Sequence, residues 1–458
     1  MNITYLYHAC LLLVLAIVFN GCEKDWLNAK RDLNAIVPTS LADMRAVLNN
    51  ATSPSMADDY AGMQQSAAGE QQVTDAVFNF GAPSERNNYI WNSNIYDDNS
   101  KPVSEWDDSY RQVLNANVIL EGVAKINRIP DNATEWDDVK GGALFFRAKA
   151  FYNLLQVFAA PYQAETASGK LGIPLRLGPD PGIPTTRASL SESYEQVLGD
   201  LKKAVPLLRV QPALKTDASR PAAYALLARC YLSMREYEKA GLYADSALQL
   251  FPTLMDYREV TAAADNIYPF AEMNAETILF SVLTPLSIFD ANSLNSVVPE
   301  LLNLYTESDK RRSLFFRYTG GFRGSYTGNA LPFSGLASDE VYLIKAEGEA
   351  RQGLNEEALV TLNHLLKYRY TSEGFVPYNI ENTPDVLSLI LVERRKELAF
   401  RGRRWNDLRR LNQEPAHAVT LSRQVKGQTY TLPPNDPRYT FPIPPYIIQL
   451  TGITQNER

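Results

Sequence analysis

The stretch YALLARCYLSMREYEKAGLYADSALQLFP, Tyr224–Pro252, decides the fold. Tyr224, Leu227, Ala228 and Tyr231 recur at the spacing of one helical face. Ala240 follows Ala228 by twelve residues, Ala247 lies seven further on, and Pro252 closes the unit. This is the order of a tetratricopeptide unit. Small residues let two antiparallel helices approach, and Tyr224, Leu227 and Tyr231 fill the space around them. Ala244 stands where such units usually carry an aromatic residue. A second copy runs through Tyr342, Ala346 and Glu349, then Ala358, Leu362 and Leu365, with the same twelve-residue step between its alanines and Gly353 at the turn.

Working outward, a third copy is split. Leu144, Ala148 and Phe151 mark its first helix. The second begins after the Pro/Gly-rich loop Pro174–Pro184, where Ser189-x-x-Glu192 reads as a capping box and Tyr194, Leu198, Leu201 and Val205 share one face. A last helix is expected over about Pro384–Leu411, with the stripe Leu387, Leu391, Leu398, Trp405 and Leu408 and with Gly402 as the point of interruption. Its arginines are read as acid-paired rather than as a nucleic-acid patch, Glu397 with Arg401 and Arg403 with Asp407 at i,i+4. The expected class is all-α, a tetratricopeptide-like scaffold with repeat helices within about 104–252 and 338–412. Long irregular insertions occupy about 52–103 and 253–337. They lack helical period, are rich in Asn, Ser, Gly, Tyr and Phe, and stand where binding sites usually sit.

With 45% hydrophobic and 21% charged residues, the composition allows a large core. The net charge of −7 gives no overall pull toward nucleic acid or anionic lipid. Of the three cysteines, Cys230 lies in a repeat helix and reads as a small core residue. The other two belong to the amino-terminal region. Ala9–Phe19 is an apolar run of eleven residues, too short to span a bilayer, and reads as the core of a signal peptide. It ends in Phe19-Asn20-Gly21-Cys22, which resembles a bacterial lipobox; Glu23-Lys24-Asp25 follows. The expectation is a leader over 1–21, lipidation at Cys22 and one domain over 22–458.

From Cys22 to the carboxyl end the chain resembles the SusD/RagB family. The lipobox is followed by Trp26-Leu27. Trp106-Asp107-Asp108-Ser109-Tyr110 leads to Asn115-Ala116-Asn117, and Arg147-Ala148-Lys149-Ala150-Phe151-Tyr152 comes next. Gly172-Ile173-Pro174-Leu175 and Asp200-Leu201 also fit. The most specific part is Glu393-Arg394-Arg395-Lys396-Glu397-Leu398 with Arg401-Gly402-Arg403-Arg404-Trp405 and Asp407-Leu408, then Pro442-Ile443-Pro444 and Gln455-Asn456. The resemblance implies a lipid-anchored protein of the outer-membrane surface. Such a protein captures oligosaccharides, or in some members peptides, and delivers them to a SusC-like TonB-dependent transporter. No nucleic-acid partner and no cofactor is implied.

The motifs of zinc proteases, serine hydrolases, dithiol redox proteins and phosphate-binding loops do not occur. Only His8, His364 and His417 are present, and His8 goes with the leader, so no metal ligation is expected. The chain is read as a binding protein and not an enzyme, with a lipid-anchored glycan hydrolase as the alternative. Asp97-Asp98 and Asp107-Asp108 are read as loop and helix-start acids. Sugars call for flat aromatic faces with amides, carboxylates and arginines at the rim. Tyr89, Trp91, Asn94 and Tyr96 supply that chemistry in the first insertion, with Asp75 and Arg86 just upstream. Phe322 and Tyr326 are the candidates of the second insertion, beside Tyr305 and Tyr318. Trp91 is the first choice for ligand contact. Trp106, Trp136 and Trp405 are assigned to the core.

Overall fold

The structure is a computed structural model. It describes residues 38–458 except 51, 53–54, 98–101, 185, 262–266, 285–286, 288–295 and 319. The leader, Cys22 and Asp98 lie outside the described residues.

Helix α1 (Leu41–Leu48) precedes the first insertion, which holds β1 (Asp59–Tyr60), α2 (Gly62–Ala67), β2 (Gln71–Gln72), α3 (Asp75–Phe80) and α4 (Pro83–Tyr89). The scaffold opens with α5 (Ser104–Ala124) and α6 (Ala133–Phe158), followed by β3 (Leu171–Pro174), β4 (Arg187–Ser189), α7 (Leu190–Ala204), α8 (Arg220–Ser233) and α9 (Tyr237–Leu250). The second insertion carries β5 (Thr277–Leu279), β6 (Leu283–Thr284), β7 (Ser296–Val297), α10 (Pro299–Leu302), α11 (Lys310–Phe315) and β8 (Leu336–Ala337). Then come α12 (Ser338–Arg351), α13 (Asn355–Leu366), α14 (Val386–Glu397), α15 (Arg404–Leu411), the hairpin β9 (Leu421–Val425) and β10 (Gln428–Leu432), and α16 (Pro445–Thr451). The class is mostly helical, as expected. The insertions differ from expectation in holding short helices and strand pairs, too brief to show a period in sequence.

The repeats pack as their small residues require. Ala228, Ala240, Ala346 and Ala358 are all fully buried, and α8, α9, α12 and α13 pack in succession. The turn after α8 places Arg235 at φ +64°; the equivalent turn after α12 uses Gly353 at φ +80°, where no Cβ is strained. The capping box at Ser189 forms, with Glu192 N–H donating to Oγ of Ser189 at 3.2 Å and Ser189 N–H to Oε2 of Glu192 at 2.8 Å. Between the two copies α9 meets α12 at backbone distance. A Cβ on Gly348 would lie 2.9 Å from Cα of Gly241 and 2.9 Å from the carbonyl oxygen of Tyr237. Neither atom can swing aside. Gly348→Val is therefore expected to destabilise by about 1–3 kcal/mol or more, although glycine is a poor helix former. An unchanged urea midpoint would show that the helices can separate there.

The separated pieces of the family-like sequence meet in space. Arg147 donates to both oxygens of Asp200, each at 2.8 Å, and to Oδ1 of Asn117 at 2.9 Å. The side-chain amide of Gln455 clamps both backbone groups of Ile443, at 2.7 and 2.8 Å. Asn456 donates to the carbonyl of Phe158 at the end of α6, at 2.8 Å. The carboxyl-terminal tail thus satisfies a helix end that would otherwise be left with bare carbonyls.

The expected last helix is two helices. Phe400 at φ +58° and Gly402 at φ +69° break it between α14 and α15. The predicted i,i+4 pairs, Glu397 with Arg401 across the break and Arg403 with Asp407 just after it, are replaced. Arg401 pairs with Asp339 at 2.8 Å and Arg403 with Asp59 at 3.0 Å, while Asp407 accepts from Arg394 and Arg410, each at 2.9 Å. Acid pairing of the arginines was the right expectation; the partners lie far away in sequence. Glu397 accepts from Arg369 at 2.6 Å and Arg311 at 2.8 Å, and Glu393 accepts from Arg311 at 2.6 Å. Asp59 comes from the first insertion, Arg311 from the second and Asp339 from the first turn of α12. The charged motif bolts both insertions to the repeats.

Candidate functional site

The two insertions are joined to each other. Strand β1 pairs in parallel with β6, and β2 pairs antiparallel with β7, placing Gln72 opposite Ser296 and Gln71 opposite Val297. Val298 N–H donates to the carbonyl of Glu70 at 3.0 Å, and Val297 N–H to that of Gly320 at 3.1 Å. The second bond ties this seam to a tight hairpin. Arg323 N–H donates to the carbonyl of Phe315 at 2.7 Å and Arg317 N–H to that of Gly321 at 2.8 Å, with Gly320 turning at φ +92°. Phe322 holds the hairpin down, stacked on Phe400 at 4.6 Å between ring centroids.

At the hairpin tip the ring of Tyr318 is 107% exposed. Burying apolar area drives folding, so a ring fully presented to water beside a rigid anchor is available to a ligand. The Arg317 guanidinium lies 5.8 Å from the centroid of Tyr268. Gln72 and Ser296, both exposed, stand on the seam that the bond from Val297 ties to this hairpin. The seam therefore offers a flat face, an amide, a hydroxyl and a guanidinium, which is the set that stacks on and hydrogen-bonds a sugar.

The structure places most of the expected aromatic contacts elsewhere. Trp91 is 2% exposed, its indole N–H donates to the carbonyl of Ala67 at 3.0 Å, and the Arg423 guanidinium covers its ring at 4.5 Å. Tyr89 lies under the same guanidinium at 3.8 Å, and its hydroxyl bonds the backbone of Gln71 and Val73. Tyr96 is buried beside Glu105, and burial pushes its phenol well above the ordinary range. Phe322 is buried on Phe400. Tyr326 is fully buried, its hydroxyl donating to Glu276 at 2.6 Å. These five rings pack the insertions and present no face to a ligand here, which corrects the expectation, Trp91 foremost. Asp75 is exposed and accepts from Lys426 N–H at 2.7 Å. Arg86 is half-buried against the carbonyl of Asn79, and Asn94 is exposed. Tyr89 and Trp91 are brought together around Arg423, whereas Phe322 and Tyr326 belong to a separate apolar cluster with Tyr257 and Phe315. Arg317, Tyr268, Gln72 and Ser296 were not picked out from sequence.

Three buried carboxylates, Glu276, Asp339 and Glu397, converge with oxygens within 4.8 Å of one another. Such a set could hold a cation, but Arg369 and Arg401 already occupy that role, Arg369 reaching Glu276 at 2.8 Å. Cys230 is fully buried, and burial raises its thiol far above the reactive range.

Among known proteins, a family model described as starch-binding associating with outer membrane matches residues 25–232, and a model of the SusD family matches 337–457. SusD-like protein P2 of Formosa agariphila is 22% identical over 434 residues, covering 81% of this chain and 83% of its own length. A SusD superfamily protein from Bacteroides thetaiotaomicron superposes with a TM-score of 0.74 at 23% identity, covering 92% of this chain and 100% of that one. A laminarin-binding SusD-like protein superposes at 0.61 with 19% identity, over 91% and 97% of the two chains. The matched segments contain the charged motif and the tail whose contacts are described above, and the chain belongs to the SusD/RagB family.

Proposed function

We propose that this protein is a non-catalytic, cell-surface lipoprotein that binds an oligosaccharide and passes it to a SusC-like TonB-dependent transporter. The observation that carries the binding half is the fully exposed Tyr318, next to Arg317, on a hairpin hydrogen-bonded to the seam that carries Gln72 and Ser296. Family membership supports the rest: one structural neighbour binds laminarin, and the family model's description places its members at the outer membrane. Among the described residues no helix is long and apolar enough to cross a membrane. In this reading the leader 1–21 is removed, Cys22 carries the lipid, and one domain follows. Asp75, Arg86 and Asn94 of the first insertion are kept in this reading as candidate polar contacts to the ligand.

A sugar face stacked on the Tyr318 ring gains apolar burial of about 1–2 kcal/mol. Tyr318→Ala is therefore expected to weaken binding roughly tenfold, with no change in melting temperature because the ring packs on nothing. Calorimetry against a panel of oligosaccharides and short peptides measures this. Full affinity in the variant would remove Tyr318 from the site, and preference for peptides would redirect the ligand class.

A further inference from the structure

We infer that the ligand taken at the Tyr318 hairpin is an anionic oligosaccharide, one bearing uronate or sulfate groups. The inference rests on the reading of the hairpin as the ligand platform and adds the charge of what binds there.

The sequence around the hairpin departs from the rest of the chain. Acidic residues outnumber basic ones, 52 to 45, over the whole protein. Between 310 and 338, however, stand Lys310, Arg311, Arg312, Arg317 and Arg323, and no Asp or Glu. Arg311 is spent in the core on Asp309, Glu393 and Glu397. Arg312, Arg317 and Arg323 gather about the hairpin. Arg312 lies 6.0 Å from the centroid of Phe316, and Arg317 5.8 Å from that of Tyr268. Arg323 donates to the carbonyl of Ser313 at 2.8 Å.

This differs from the guanidinium groups that build the buried ion pairs. Arg394, Arg401, Arg403 and Arg410 answer carboxylates at 2.6–3.0 Å. Arg317 instead has an aromatic face, and among the described residues no carboxylate stands within ion-pairing distance of it. Its neighbouring charge is another cation: partial burial, and then the Arg317 guanidinium, lower the Arg323 guanidinium from its ordinary value. Two like charges on adjoining arms of one hairpin repel, and an anion between them relieves that repulsion. The planar guanidinium is also the group that matches carboxylate or sulfate oxygens in a fork. Tyr318, Gln72 and Ser296 add what a simple anion would not need, a stacking face and hydroxyl-reading groups. That combination favours an acidic sugar over a phospholipid headgroup.

The test uses the leaderless protein with tetragalacturonate, and with cellotetraose as a neutral partner of equal length. Tetragalacturonate is expected to bind at least about tenfold more tightly. Its affinity should fall as ionic strength rises from about 0.05 to 0.5 M, because the screening length shrinks. Arg317→Gln should remove most of the preference with an unchanged melting curve. Equal affinity for the two tetrasaccharides, or a preference insensitive to salt, overturns the inference and leaves saccharide binding standing. Binding of neither, with retention on vesicles rich in phosphatidylglycerol, overturns both in favour of a membrane contact. Binding of neither sugar and no vesicle retention overturns both outright.

Discussion

Arg369→Met is expected to cost about 3–5 kcal/mol of stability, a large fraction of what holds a typical domain folded. Arg369 is fully buried. Its Nε donates to Glu397 at 2.6 Å, one Nη to Glu276 at 2.8 Å, and the other to the carbonyl of Met255 at 2.9 Å. The guanidinium plane covers Tyr257 at 3.9 Å. Methionine fills similar space, so packing is nearly preserved and the loss is one of charge. Without Arg369, Glu276 and Glu397 face Asp339 across less than 5 Å in a site sealed from water, and Arg401 and Arg311 must answer all three. Lysine should rescue little, since an ammonium cannot reach both carboxylates and the carbonyl in one fork. Adding Glu276→Gln should recover part of the loss, because one uncompensated charge is then removed. Urea midpoints for the three variants measure this. Arg369→Met within about 1 kcal/mol of the parent would mean that the carboxylates share protons instead of needing the cation.

That cluster also shows what sequence reading reaches and where it stops. The repeats were legible because their information is local: Ala228 to Ala240 and Ala346 to Ala358 carry the same step, and a capping box such as Ser189 to Glu192 spans four residues. The acid pairing of the motif arginines was legible from composition, since a charge this deep needs a partner. Which partner was not, because Arg403 answers Asp59 from 344 residues away. Local spacing instead suggested i,i+4 pairs next to a break that two left-handed residues create. Trp91 failed for the same reason. Its loop reads as polar and exposed, but the residue that covers it, Arg423, comes from the far end of the chain. Tyr318 stood among the aromatic candidates, yet nothing nearby distinguishes it from Phe322 or Tyr326; only tertiary packing sorts them. The basic run from 310 to 338 was visible as a charge asymmetry and needed the hairpin to acquire meaning.

Stability should fall as pH rises from about 5 to 8, with Glu105 one of the contributors. Glu105 sits in the first turn of α5, where a helix amino end ordinarily favours a carboxylate. Burial overrides that preference: Glu105 is 2% exposed, and removal from water, with a minor push from Asp108, raises its carboxyl to about 7. The N–H of Met63, which donates to it at 3.0 Å, opposes the rise without cancelling it. In the unfolded chain the group returns to the ordinary value near 4.5. Between those two values the folded protein holds a proton that the unfolded chain has released. Unfolding therefore becomes easier with each step upward in pH, by about 3 kcal/mol in all, and the loss is complete above about 7. Glu105→Gln keeps an oxygen for the N–H of Met63 and never ionises. It should match the parent at pH 5 and exceed it by about 3 kcal/mol at pH 8. A slope of the same sign should persist in the variant, because burial also raises Glu70 and Asp339. Urea denaturation at pH 5, 6, 7 and 8 resolves the two curves. If they stay parallel, Glu105 is not the titrating group, and if the parent gains stability across this window, the buried carboxyl is ionised in the fold.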